Sequence, residues 1–129
     1  MNAFGRDNYA EYLGLELVDA AQGKANAKME VKPCHLNGVG IVHGGAIYSL
    51  AVWALAVAAN SADIGNDVCV GTGGTINYVS NISSGALYAC AEPVHIGKRL
   101  MTYRVTVTAD NDRIIAVMQG SGYRRDGKG

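Results

Sequence analysis

Charge is scarce in this sequence. Asp, Glu, Lys and Arg make up 17% of the 129 residues, and 11 basic side chains against 11 acidic ones leave no net charge. A chain so balanced has no basic stripe for gripping nucleic acid or an anionic membrane surface, so neither is an expected partner. Cysteine is sparse too. Cys34, Cys69 and Cys90 are odd in number and far apart, with no CxxC pair to chelate zinc or run dithiol chemistry. Cys34, His35 and His43 lack a fourth ligand, so no metal is expected, and reduced thiols point to a cytoplasmic location. No apolar run follows a basic start at the N-terminus, which excludes a visible secretory signal and leaves the Asn81-Ile82-Ser83 sequon without a role. The longest apolar stretch, Ala46 to Ala59, falls short of the ~20 residues that span a bilayer.

Apolar residues are plentiful at 49%, and 17 glycines punctuate them, which argues against disorder and against a coiled coil. A single domain over 1–129 is expected, large enough to bury roughly two-thirds of its unfolded surface. Tyr9 to Leu17 reads as a short amphipathic helix stopped near Gly14. From Lys24 to Val31, Lys24, Asn26, Lys28 and Glu30 alternate with Ala25, Ala27, Met29 and Val31, a half-buried strand pairing with Leu15 to Ala20 through a turn at Gln22-Gly23. Strands are also predicted over Asp67 to Ser80, Gly85 to His95, Leu100 to Ala109 and Arg113 to Arg124. Turns at Gly97-Lys98 and Asp110-Asn111-Asp112 favour hairpins, and the tail from Arg124 to Gly129 is expected to fray. Gly44 to Asn60 reads as a helix with almost no polar face, so protein must surround it. The fold class is α+β: one long central helix wrapped by an antiparallel sheet of five to six strands.

One segment carries chemistry. Asn37-Gly38-Val39-Gly40-Ile41-Val42-His43-Gly44-Gly45 runs directly into that helix. Two glycines at the first helical positions leave backbone N–H groups uncovered where the helix dipole is positive, so a carbonyl oxygen can dock there. In acyl transfer such donors stabilise the developing oxyanion by roughly 3 to 4 kcal/mol each. The plainer reading is that the glycines only permit a tight loop-to-helix turn. Gly71-Thr72-Gly73-Gly74 misses the spacing of a dinucleotide loop.

His43-Gly44-Gly45-Ala46-Ile47-Tyr48-Ser49-Leu50-Ala51, with Asn37-Gly38 before it, Thr75-Ile76-Asn77-Tyr78 and Gly97-Lys98-Arg99 after it, closely resembles the signature of hotdog-fold acyl-CoA thioesterases of the phenylacetic-acid-degradation type. The likeness runs from about Tyr12 to Tyr123. It implies a hydrolase acting on acyl-CoA, with coenzyme A as part of the substrate and no other cofactor. The implied acyl group is small and aromatic, or short to medium in length. A homodimer or dimer of dimers is implied, with sites built from two chains. By the same resemblance a glycine N–H at Gly44 or Gly45 polarises the thioester carbonyl, Asn37 places water or substrate, and Thr72 stands near a hydroxyl that orients the nucleophile. Gly97, Lys98 and Arg99 would meet the coenzyme A phosphates; the plainer reading of that turn is a solvated hairpin end.

The sequence departs from the family at the carboxylate two turns into the helix. Where the family reads Ser-Leu-Ala-Asp, this chain reads Ser49-Leu50-Ala51-Val52, and valine can neither take a proton nor attack a carbonyl. Losing a catalytic base costs about 10²- to 10⁴-fold in rate. Two functions therefore compete: a thioesterase using another group, with His43 ahead of Glu92, His95, Asp63 and Asp67, and an acyl-CoA-binding protein without brisk turnover. Imidazole suits proton transfer near neutral pH, yet the simpler role for His43 is to hold the loop by hydrogen bonding.

Overall fold

The computed structural model describes residues 6–127. Along the chain run α1 (Asn8–Leu13), β1 (Leu15–Ala21), β2 (Lys24–Glu30), α2 (Gly44–Asn60), β3 (Asp67–Tyr78), β4 (Ala86–Ile96), β5 (Leu100–Thr108) and β6 (Ile114–Asp126), with 3-10 turns at Pro33–His35 and Asp110–Asp112. The strands form one six-stranded sheet in the order β1-β2-β4-β5-β6-β3, every neighbouring pair antiparallel. α2 lies across one face of it, the α+β arrangement that the sequence predicts.

Alternation decides which strand faces meet the helix. On β2, Ala25, Ala27 and Met29 are buried; on β5, Met101, Tyr103, Val105 and Val107 are fully so. The turn between β1 and β2 places Gln22 and Gly23 at φ 54° and 85°, the primed geometry that suits the twist of a two-residue hairpin. From α2, Ile47, Leu50, Ala51, Ala54, Leu55 and Ala58 face the sheet. At Gly120 on β6 a Cβ would stand 2.8 Å from Leu55 Cδ1, so glycine there lets the helix sit down on the strand. Asn60 fixes the far end of the helix. Its buried amide donates to the carbonyls of Ala56 and Cys69 and accepts from the Cys69 N–H, tying α2 to the start of β3.

Several boundaries differ from expectation, β3 for one ending at Tyr78 rather than Ser80, and two of the differences bear on packing. α1 ends at Leu13, where Gly14 turns left-handed at φ 75°, and Leu15 to Leu17 already belong to β1. The tail does not fray at Arg124. β6 continues to Asp126 because Asp67 to Cys69 pair with it, and the Arg124 Nε donates to Asp67 Oδ2 at 2.8 Å. Lys128, Gly129 and the N-terminal residues 1–5 lie outside the described residues. Among the described residues no helix is long and apolar enough to cross a membrane.

The wrapping is one-sided. Gly45, Tyr48, Ser49, Val52, Trp53 and Ala56, spaced along one stripe of α2, are exposed or only half-buried. β3, adjacent to that stripe, is an edge strand of 12 residues without lysine or proline to blunt it.

The buried Tyr103 hydroxyl donates to the Gly23 carbonyl at 2.6 Å, and burial, with a smaller contribution from Cys69, pushes its pKa up to about 12. The folded chain thus holds this proton more tightly than the unfolded one, whose tyrosines ionise near 10. Stability from this group is complete below about pH 10 and lost as pH rises through about 12. Urea unfolding is expected to show a midpoint falling between about pH 10 and pH 12, more steeply in the native chain than in Tyr103→Phe. At about pH 8 the Phe variant is expected to be less stable by about 1 kcal/mol, because Gly23 loses its donor.

Candidate active site

The loop leading into α2 is pinned from several sides. The Asn37 side-chain oxygen accepts from the N–H groups of Val39 and Ile41 at 3.0 and 3.3 Å, while its backbone N–H donates to the Ile41 carbonyl. Gly40 sits at φ 83°, closing this tight loop. Val42 donates to the Ile82 carbonyl and accepts from the Asn81 side chain, and His43 N–H donates to the His35 carbonyl at 2.7 Å. His35 is itself buried. Its Nδ1 accepts from Lys32 N–H, so its Nε2 carries the proton and donates to the Leu13 carbonyl at 2.8 Å, joining α1 to the loop.

His43 caps the helix. Its Nδ1 accepts from Gly45 N–H at 2.7 Å, which requires the neutral ring to carry its proton on Nε2. The basic nitrogen is therefore engaged, and geometry favours the loop-holding role over the base. Gly45 N–H is engaged with it. Gly44 N–H, by contrast, has no hydrogen-bond partner among the described residues, and stands alone at the positive end of the 17-residue helix. Of the two glycines, Gly44 offers the free donor.

Tyrosines that sequence reasoning did not single out frame this point. The Tyr78 hydroxyl donates to the Gly44 carbonyl at 2.9 Å, and its ring would lie 3.1 Å from a Cβ at Gly44. Ser49 Oγ donates back to the Gly45 carbonyl at 2.8 Å, so Tyr9 Oη, 3.1 Å away, is the donor to Ser49. The signal for Tyr78 lay in the alternation of Ile76 and Tyr78 on one face of β3.

Val52 lies on the same stripe as Gly45 and Ser49, as two turns of helix dictate, and is 36% exposed. A charge there retains access to water, so it costs the fold less than at a fully buried position. Thr72 stands where β3 shifts register between Gly71 and Gly73, its hydroxyl 3.0 Å from that of Ser121.

Within one chain the structure does not bring Gly97, Lys98 and Arg99 to this point. Arg124 N–H donates to the Arg99 carbonyl and Arg124 neighbours Asp67, which puts the turn at the Asn60 end of α2. A 17-residue helix, about 25 Å long, separates it from Gly44. Asp63, Asp67 and His95 stand at that far end as well. Among the described residues no group of three His, Cys, Asp or Glu side chains could hold a metal ion.

The sequence pattern of the family described as thioesterase superfamily matches residues 39–116, from the pinned loop through α2 and on into β6. The chain belongs to the thioesterase superfamily. A candidate esterase of Mycobacterium tuberculosis is 39% identical over 108 residues, spanning 81% of this chain and 76% of the relative. The solved structure of a Mycobacterium tuberculosis candidate esterase superposes with a TM-score of 0.89 at 30% identity, covering 93% of this chain and 98% of that one. The PaaI protein from the phenylacetic acid degradation operon of Escherichia coli superposes with a TM-score of 0.86 at 29% identity, covering 95% and 87%. One long helix against six antiparallel strands is the hotdog fold, here of the PaaI-like type.

A cap and a base at His43 predict different results for substitution. His43→Ala is expected to lower stability by about 1 kcal/mol in urea unfolding. His43→Asn, which restores a capping oxygen, is expected to recover most of it and to keep any thioester turnover; a loss of turnover in His43→Asn at full stability would identify a base instead.

Proposed function

We propose that the protein binds acyl-CoA thioesters with the carbonyl oxygen at the Gly44 N–H and hydrolyses them by attack of water. The observation that carries this reading is the unpartnered Gly44 N–H at the start of α2, in a chain of the thioesterase superfamily. Relatives of related name support the substrate class: an acyl-coenzyme A thioesterase of Escherichia coli and a 1,4-dihydroxy-2-naphthoyl-CoA hydrolase of Listeria monocytogenes. Water oxygen bonds to the thioester carbon and the carbonyl oxygen becomes an oxyanion, which the Gly44 N–H and the helix dipole stabilise by roughly 3 to 4 kcal/mol. Collapse breaks the carbon–sulfur bond and releases the carboxylic acid and the coenzyme A thiolate, which takes up a proton. The Asn37 amide N–H groups, with the side-chain oxygen held by the loop, are donors for the water or the substrate. Val52 cannot accept the proton that the attacking water loses, so it passes to solvent and turnover is slow. Val52 favours a second reading, an acyl-CoA-binding protein with little hydrolysis.

The working unit in this reading is a homodimer or a dimer of dimers. Antiparallel pairing of two β3 edges about a two-fold axis lays the Asp67 end of one strand beside the Tyr78 end of the other. Such pairing moves the partner's Lys98 and Arg99 toward the Gly44 end of α2, where they meet coenzyme A phosphates, and covers the open stripe of the helix. Free Cys34, Cys69 and Cys90 suit a reducing cytoplasm. No cofactor besides the coenzyme A of the substrate is invoked.

Val52→Asp is expected to raise thioesterase turnover at least ~10²-fold while leaving coenzyme A affinity nearly unchanged. If that variant folds, binds coenzyme A and stays inert, the binding-protein reading replaces hydrolysis; brisk turnover in the native chain with no gain in Val52→Asp points to a different base. Replacing both Lys98 and Arg99 with alanine is expected to weaken coenzyme A binding and flatten its salt dependence, as loss of charge-assisted phosphate contacts requires. Unchanged affinity and slope would return that turn to a solvated hairpin end.

A further inference from the structure

Asn37-Gly38 is the one Asn-Gly pair in the sequence. An asparagine followed by glycine is the most open to loss of its side-chain amide, because the backbone nitrogen that attacks the amide carbon has no side chain beside it to shield it. The folded loop adds two features. The Asn37 side-chain oxygen accepts from the N–H groups of both Val39 and Ile41, at 3.0 and 3.3 Å, which draws electron density from the amide carbon. The Gly38 N–H, which supplies the attacking nitrogen, has no hydrogen-bond partner among the described residues, and Gly38 is exposed. Asn66 and Asn81 show the contrast. After Asn66, the Asp67 N–H donates to the Ile64 carbonyl; after Asn81, the Ile82 N–H is tied to the Asn81 side-chain oxygen itself at 2.7 Å.

We infer that Asn37-Gly38 is a site of spontaneous self-modification, at which the folded loop promotes loss of the Asn37 amide and leaves aspartate or isoaspartate in front of α2. The Gly38 backbone nitrogen gives its proton to a solvent base and bonds to the Asn37 side-chain amide carbon. The amide oxygen becomes an oxyanion, which the Val39 and Ile41 N–H groups stabilise. Collapse breaks the bond to the amide nitrogen, which takes a proton from water and leaves as ammonia. A five-membered imide ring remains. Water then opens it: cleavage between the Gly38 nitrogen and the side-chain carbon restores the ordinary backbone with aspartate, and cleavage at the main-chain carbonyl carbon leaves isoaspartate. The sum is amide plus water giving carboxylate and ammonium.

The two products affect the loop differently. Aspartate can accept from the same Val39 and Ile41 N–H groups, and hydrogen bonds of that kind favour the charged carboxylate, so the loop survives the change. Isoaspartate lengthens the main chain by a carbon inside a loop closed by the Asn37 N–H to the Ile41 carbonyl and the Gly40 N–H to the Asn37 carbonyl, and so loosens the entry to α2. Either way a negative charge enters a neutral stretch. No Asp, Glu, Lys or Arg stands between Lys32 and Asp63, and the chain has equal numbers of basic and acidic side chains, so each event makes the balanced chain acidic. The inference goes beyond the thioester reading and stands without it.

Ageing the full chain in mildly alkaline buffer, beside a synthetic peptide of residues 35–43 under the same conditions, tests it. Ion exchange follows the acidic species, and mass spectrometry of a proteolytic digest locates it, with isoaspartate marked by enzymatic methylation. The native chain is expected to accumulate aspartate and isoaspartate at Asn37 while Asn66 and Asn81 stay intact, and to lose the Asn37 amide at least about tenfold faster than the peptide, as two oxyanion donors require. Gly38 has no positive φ, and a Cβ there would meet nothing within 4 Å, so Gly38→Ala is expected to keep the native urea midpoint. The same variant is expected to slow the loss at least about tenfold by shielding the attacking nitrogen. An amide at Asn37 that outlasts the peptide's, or is lost no faster, would overturn the inference by showing that the loop shields the pair or leaves it indifferent. Equal loss in Gly38→Ala would overturn the route through the Gly38 nitrogen. The comparison with the peptide uses the native chain, so the test does not depend on a variant folding, and no readout involves thioester binding or turnover.

Discussion

The helix α2 contains no charged side chain and cannot stand in water, and the sheet can shelter only one side of it. That single constraint orders the rest of the structure. The inward residues of β2 and β5 are apolar because they face α2, and alanine recurs along the helix because a close approach to the sheet leaves room for little else. The stripe that the sheet cannot reach runs from Gly45 to Ala56, and every group proposed to meet substrate on α2 lies on it or at its head. Function occupies the place where burial is incomplete.

Much of this was legible in the sequence. Alternation over Lys24 to Val31 and over Met101 to Thr108 gave both the strands and the faces they bury, and the missing polar face of Gly44 to Asn60 required a wrapped helix. What periodicity cannot report is the partner of a strand far away in sequence. Arg124 to Asp126 read as a loose tail because Asp67, the residue that holds Arg124, lies 57 positions earlier. Nor can periodicity report that, within one chain, the turn at Lys98 and Arg99 lies at the opposite end of α2 from Gly44, which the strand order decides.

Rotamers were equally out of reach. Nothing in His43-Gly44-Gly45 distinguishes a ring turned outward from one folded back on the helix, yet that choice decides which glycine N–H is free and whether the imidazole nitrogen is available. Tyr78 and Tyr9 come to the head of α2 by tertiary packing, from β3 and α1, where Tyr78 donates to the Gly44 carbonyl and Tyr9 to the Ser49 hydroxyl. Val52 was the opposite case, conspicuous by chemistry alone. Its setting beside Gly71 and Gly73 gives that departure a context no spacing could supply.

The strand order also has a consequence in time. β3 crosses to the outer edge, where its one neighbour among the described residues is β6, made only after β4 and β5. During synthesis β1 and β2 can close as a hairpin early, and β4 can join them, but the long glycine-containing β3 must wait with both edges unpaired until β6 emerges. Pairings so remote in sequence are slow to form, and an unpaired strand is what aggregates in the interval. The seven apolar and glycine residues among Val68 to Gly74 and Ile76 are thus held to a compromise set by chain order: glycine lowers their strand propensity during the wait, and leaves an opening beside Val52 once the sheet is complete.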